Sequence, residues 1–314
     1  MGSDMIKIGM ADISVGHPLA WALYDRTGRL VLDKGMLVQT EGQLESWVKR
    51  GVFRKAFVHT REMSQSQSAN AAPKPEPYRP FAHLDDIQAR LEKAFALLGN
   101  LPAKAIPIIE KLASEIQKLC AKEPDAAIGF IHLAEEFNYT IRHPVKKAII
   151  AEMVACRINM DSAQRLTLLK ATLTSDIAII TLQEQLHRQD GPLSKEQQAI
   201  MQNHPYASMQ RLQQAGVTDT DWLDAVLQHH ELCDGSGYPT ALTTEQIGLG
   251  AKLISVTDAY CAMISSKAYR DKVDSRDALK DFFVSKGKQR DETLCLTLIK
   301  ELTAFPPGTV MEIA

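Results

Sequence analysis

From Met5 to His59, apolar residues come in short stretches broken by turn-forming residues, and "WALYDRTGRLVLDKGMLV" alternates around Asp25-Arg26-Thr27-Gly28. That alternation predicts a hairpin within a small β-containing module. In "EGQLESWVKRG" the apolar positions Leu44, Trp47 and Val48 recur at i, i+3, i+4, the spacing of a short amphipathic helix that Gly51 is placed to end. The stretch "SQSQSANAAPKPEPYRP", Ser64 to Pro80, has no periodic apolar face and is rich in proline and polar residues, the composition of a linker. Beyond Phe81, apolar residues recur at helical spacing and breakers fall between segments. The expected fold class is therefore mainly α. An N-terminal β-containing regulatory module (5–62) and a linker (63–80) precede an all-helical domain (81–314). Helix starts are predicted at Ser194, with Gln197 completing a capping box, at Asp221 before "WLDAVLQHHE", and at Asp274-Ser275 before "RDALKDFFVSK".

Composition narrows the class of function. Apolar residues make up 45% of the 314, enough for a sizeable core, and 36 basic against 38 acidic residues give a net charge of −2 without a basic run. A DNA or RNA polymer is not the expected partner, whereas a small anionic ligand is compatible, because local clusters matter more than the sum. No apolar stretch approaches the roughly 20 residues that span a bilayer, and no signal-peptide layout opens the chain, so a cytoplasmic location is expected. Five widely spaced cysteines argue against a disulfide framework and against a CxxC zinc site.

The candidate chemistry lies in the histidines and two aspartates. His229 and His230 are adjacent in "LQHHELCDGSGYP", His204 precedes Pro205, and His143 begins a helical segment. Asp176 and Asp258 sit in the apolar runs "TLTSDIAII" and "ISVTDAYCAM", where a carboxylate is expensive to bury unless paired or bound to a metal. Imidazoles with carboxylates suit iron, manganese or zinc. The bland alternative is that each aspartate caps or bonds nearby backbone groups. In the loop, Gly235 and Gly237 permit positive φ and close approach, and Pro239 fixes the exit, so the chain is expected to fold back beside the ligands.

"HHE..DGSGYP", with the upstream His-Pro, the downstream "TDAYCAM" and then "SSKAYR", resembles the HD-GYP family of the HD superfamily of metal-dependent phosphohydrolases, over about His143 to Arg270. The resemblance implies an all-helical fold, a divalent metal centre of iron or manganese, and hydrolysis of the bacterial second messenger cyclic di-GMP. It implies metal ligands at His143, Asp176, His204, His229, His230 and Asp258, catalytic roles for Asp176, Lys267 and Arg270, and substrate contacts from Gly237, Tyr238, Pro239, Lys267 and Arg270. A signalling partner is expected to engage the N-terminal module or the GYP loop, and an oligomer stays open.

The departures from the pattern are specific. Ser175 stands where the family has the histidine of its HD pair, and Ile179 where it has a lysine. Tyr139 stands at the glutamate of three-metal members, and Cys261 replaces an aspartate, so three ions are not expected. Asp176, His204, His229 and His230 form a full set for one ion; a second, near His143, Asp176 and Asp258, is expected to be weaker and to complete its shell with water. Two readings follow: a phosphodiesterase of reduced activity, or a degenerate sensor or protein-interaction module that binds metal and nucleotide.

Overall fold

The computed structural model describes residues 5–8, 13, 15, 19, 22–25, 29–32, 36–38, 40–55, 78–133, 138–187, 189, 191–265, 279, 282, 284 and 289–302. The chain divides into two compact units, Met1–Pro75 and Glu76–Ala314. Residues 64–77 of the expected linker, the helix start at Asp274-Ser275, and Lys267 and Arg270 all lie outside the described residues.

In the first unit, β1 (Met5–Lys7), β2 (Leu23–Tyr24), β3 (Leu30–Leu32) and β4 (Phe53–Lys55) form an antiparallel sheet in the order β1-β4-β2-β3. β2 and β3 pair where the alternation predicts a hairpin, with Leu23 opposite Leu32 and Tyr24 opposite Leu30. Asp25 holds the bend: its N–H donates to the Arg29 carbonyl at 2.9 Å, and its carboxylate accepts the Arg29 N–H at 3.0 Å. α1 (Glu41–Arg50) is capped by the Thr40 hydroxyl, which accepts the Gln43 N–H, and ends at Gly51, whose φ of 84° suits glycine. Leu44 on this helix joins Ile8, Leu19, Leu23, Val38 and Val52 in a small core of its own.

The described regular elements of the second unit are all helices: α2 (Pro80–Leu98), α3 (Pro102–Lys122), α4 (Pro124–Leu133), α5 (Tyr139–Arg157), α6 (Ser162–Thr174), α7 (Ile180–His187), α8 (Lys195–Gln214), α9 (Thr220–Gln228), α10 (Leu249–Ile264) and α11 (Glu292–Leu302). α5 is the hub, packing on α3, α4, α6, α7, α10 and α11. Every residue from Thr140 to Glu152 is buried. A helix covered on all sides is normally apolar all round, yet α5 carries Arg142, His143, Lys146, Lys147 and Glu152 in this stretch. Buried charges are costly unless paired, so their partners define what the helix is for.

Two helix starts in this unit are described. The Ser194–Gln197 capping box is present and opens α8. α9 corrects the other: its cap is Asp219, not Asp221, which lies in the first turn. The Asp219 carboxylate accepts the Trp222 N–H at 3.2 Å and also takes bonds from the Thr167 hydroxyl and the Lys170 ammonium, both at 3.1 Å. Partners on α6 choose between two aspartates that are equally good caps by sequence. No described helix is long and apolar enough to cross a membrane, and all five cysteines are free.

Candidate metal centre

Five helices of this unit bring the two clusters together: α5 carries His143 and α10 carries Asp258, while α6, α8 and α9 place the rest. α6 ends at Thr174, so Ser175 and Asp176 fall in the turn that follows it. That turn is held from α8, where the Ser208 hydroxyl accepts the Ala178 N–H at 3.2 Å and Arg211 donates to the Ile177 carbonyl at 2.8 Å. It is held from α9 as well, where the buried indole N–H of Trp222 donates to the Thr174 hydroxyl at 2.8 Å. His204 lies inside α8. The histidine pair follows α9 directly, with His229 as its C-cap, so the two rings project from the helix end rather than from its side.

One ligand atom from each of Asp176, His204, His229 and His230 lies within 4.8 Å of all the others. The two buried rings are held by their outer nitrogens. Nδ1 of His204 donates to the Met201 carbonyl and Nδ1 of His229 to the Val226 carbonyl, both at 2.6 Å. Their Nε2 atoms are therefore turned inward and face each other at 3.2 Å, with Asp176 Oδ1 at 3.3 and 3.7 Å. In neutral rings these are lone pairs pointing at lone pairs, beside a carboxylate. That arrangement calls for a cation, and an N–H to backbone carbonyl bond on the outer nitrogen is how metal-binding histidines are commonly oriented. Burial lowers the pKa of His229, and burial with the neighbouring His229 holds His230 well below the ordinary imidazole value, which keeps both rings in the ligand form. The donor set fits a divalent metal ion.

The second cluster, His143, Asp176 and Asp258, also brings its ligand atoms together, but they are already engaged. His143 Nε2 donates to Asp258 Oδ1 at 2.9 Å. The ammonium of Lys147, one turn along α5 from His143 and fully buried, lies 2.5 Å from Asp176 Oδ2, 2.9 Å from Ser175 Oγ and 3.2 Å from Asp258 Oδ1. Burial by itself would push both carboxyls up, but the Lys147 charge and the histidine hydrogen bonds outweigh it and hold Asp176 and Asp258 well below the usual carboxylate range. The same carboxylates overcome burial at Lys147 and raise its pKa. The departures from the family pattern lead to an expectation of water in this shell; the structure puts the Lys147 ammonium there. A divalent ion does not fit this cluster while the ammonium holds it. Neither aspartate caps a helix, which sets aside the bland alternative.

The Gly-Tyr-Pro loop returns to the histidines as its glycines predict. A Cβ on Gly237 would stand 2.3 Å from the Leu232 nitrogen and 2.5 Å from the Glu231 Cα, so only glycine lets the chain pass. Tyr238 then stacks on His230, with ring centroids 4.8 Å apart. Glu231, buried, accepts the N–H groups of Thr240 at 2.7 Å and Leu242 at 2.9 Å and fixes the exit past Pro239. Opposite this wall, Tyr139 stacks on His143 at 4.7 Å and His187 on Tyr139 at 5.4 Å. A cleft of about 260 Å³ reaches Asp176, His143, His230 and Asp258, with Ile179, Leu193 and Met201 in its apolar lining. A larger cavity of about 700 Å³, lined by Glu92, Ile177 and Arg211 among others, touches none of the clustered ligands.

Residues 130–294 match the HD domain family. Similar proteins include a cyclic di-GMP phosphodiesterase of Pseudomonas aeruginosa, 26% identical over 204 residues covering 64% of this chain and 49% of the relative. The chain belongs to the HD-GYP family of the HD superfamily. A second relative, the cyclic di-GMP phosphodiesterase PdeB of Borreliella burgdorferi, is 24% identical over 176 residues, 56% of this chain and 46% of its own length. This HD-GYP chain thus spans about half the length of these two curated relatives. In fold it is similar to the solved structure of Bd1817, a HDG"Y"P protein from Bdellovibrio bacteriovorus, with a TM-score of 0.61 at 15% identity, covering 95% of this chain and 99% of that one.

Lys147 and Glu231 are the residues of this HD-GYP site to which the sequence pattern assigns no role. For Lys147 the available signal is "HPVKKAII": a lysine four residues after a candidate ligand histidine, among apolar positions at helical spacing. Among the described candidates, Asp176, His204, His229 and His230 converge on one point, and His143 and Asp258 join Asp176 at a second.

Proposed function

We propose that the chain is a metal-dependent phosphodiesterase that hydrolyses cyclic di-GMP at a reduced rate. The observation that carries this reading is the inward-facing pair of histidine nitrogens beside Asp176, with His230 completing the set. Asp176, His204, His229 and His230 would hold the ion, and iron or manganese is the choice that the resemblance to the HD-GYP family implies. When bound, the ion supplies Lewis-acid polarisation of a phosphoryl oxygen and acidifies water. The chain's own residues supply the rest. Tyr139, His143 and His230 line the cleft that would take the nucleotide, and the apolar lining at Ile179, Leu193 and Met201 limits bulk water near the phosphate. Lys147 places a positive charge between the two carboxylates, while Lys267 and Arg270 are assigned to the substrate phosphates by their match to the family pattern.

A second reading is a degenerate HD-GYP module that keeps metal and nucleotide binding and signals to a protein partner through the N-terminal unit or the GYP loop. The Lys147 contacts favour it, since they engage both aspartates of the second cluster. Protein purified without chelator, assayed for metal content and for cyclic di-GMP hydrolysis with added manganese or iron, separates the two. Slow turnover that rises with metal supports the enzyme. Bound metal and nucleotide without turnover at saturating metal sinks it.

A further inference from the structure

We propose that the Lys147 ammonium takes the place of a second metal ion, so that this chain binds one divalent ion where the sequence offers ligands for two. The two clusters share Asp176 yet differ in how their atoms are satisfied. In the first, Nε2 of His204 and His229 point at each other and at Asp176 Oδ1. In the second, both carboxylates face proton donors: Asp176 Oδ2 accepts from Lys147, and Asp258 Oδ1 accepts from both His143 and Lys147. His143 spends its Nε2 proton on that carboxylate and so offers it no competing lone pair.

The ammonium is equally complete. Its three N–H groups meet three acceptors, at 2.5 Å (Asp176), 2.9 Å (Ser175) and 3.2 Å (Asp258), with no exposed surface on the residue. Ser175 makes this geometry available. Its hydroxyl is one of the acceptors, and its short side chain leaves room for an ammonium that a histidine ring would crowd. A dication at this place would share two carboxylates with a cation already bonded to them, and like charges at such range repel strongly in a buried setting. Lysine at 147 and serine at 175 are thus two halves of one substitution, a fixed monovalent charge for an exchangeable divalent one.

This inference rests on the metal-centre part of the proposed function and is independent of whether the nucleotide is hydrolysed. The test is stoichiometry with manganese as the probe. The full chain is loaded with Mn(II), freed of excess, and examined by elemental analysis and electron paramagnetic resonance. Wild type should hold one Mn per chain with the spectrum of an isolated ion. Ser175→His alone should stay at one. Lys147→Met combined with Ser175→His should rise to two, with the broadened signal of a magnetically coupled pair. Two ions in wild type would overturn the proposal, whatever the variants do, so the test survives a variant that does not fold. A double variant with native helical circular dichroism that still holds a single ion would overturn it too. Wild type that takes up no manganese removes the metal centre itself, and the proposal with it; that outcome is told apart by its zero occupancy.

Discussion

Replacing Glu231 by alanine removes the acceptor for the Thr240 and Leu242 N–H groups and leaves two backbone donors unpaired beside a buried turn. Hydrogen bonds to a charged group contribute about 1.5–3 kcal/mol each, so the variant should lose on the order of 3–6 kcal/mol in urea denaturation, with the Gly-Tyr-Pro loop becoming a protease target. An unchanged denaturation midpoint would mean that Gly237 and the ring stack hold the loop unaided. Replacing His229 by alanine should strip most of the bound metal, because one of the two facing nitrogens disappears; full occupancy by elemental analysis would reject the ligand assignment. These ligands were legible because adjacent histidines followed by a glycine-shaped loop have few other uses. Lys147 was not. Its partners are 28, 29 and 111 positions away, at Ser175, Asp176 and Asp258, and nothing local distinguishes a lysine whose charge is paired inside the fold from one whose stem lies along an apolar surface.

At the scale of an element, α9 delivers the histidine pair, and its start is fixed by Asp219. Asp219→Ala should cost about 1–2 kcal/mol through loss of the cap and of the bonds from Thr167 and Lys170. Burial alone would raise this carboxyl, but the Lys170 hydrogen bond and the Trp222 N–H outweigh it, so its folded pKa lies below the ordinary 3.8. A depressed carboxylate stabilises the fold above its unfolded pKa, and that contribution is lost as pH falls through the folded value. The gap in denaturation midpoint between wild type and Asp219→Ala should therefore hold from about pH 7 to pH 5 and narrow toward about pH 3. A gap that widens in acid would contradict the sign. Periodicity and capping residues made the helices readable, and Ser194 with Gln197 fell where the pattern put them. The choice of Asp219 over Asp221 needed α6, because cap preference is local and its tie-breaker here is tertiary.

For the whole molecule, each unit has its own core, one around Leu23, Leu44 and Val52 and one around α5. Limited proteolysis should cut first between residues 64 and 77 and leave a fragment beginning near Glu76 with full helical circular dichroism. A fragment that aggregates or loses helicity would show that the units depend on each other to fold. The all-round burial of α5 has a further consequence, for evolvability. On most helices the positions that keep a protein stable and those that do its chemistry are different residues, so one set can drift while the other is selected. From Thr140 to Glu152 no residue is exposed, and His143 and Lys147 stand among Val145, Ala148 and Ile149, which fill the core. Here almost no neutral position remains. A saturation library scored separately for soluble yield and for metal uptake should find α5 the most intolerant helix on both scales, and a variant that takes up a second ion should need changes at Lys147 and Ser175 together while the core around them stays packed.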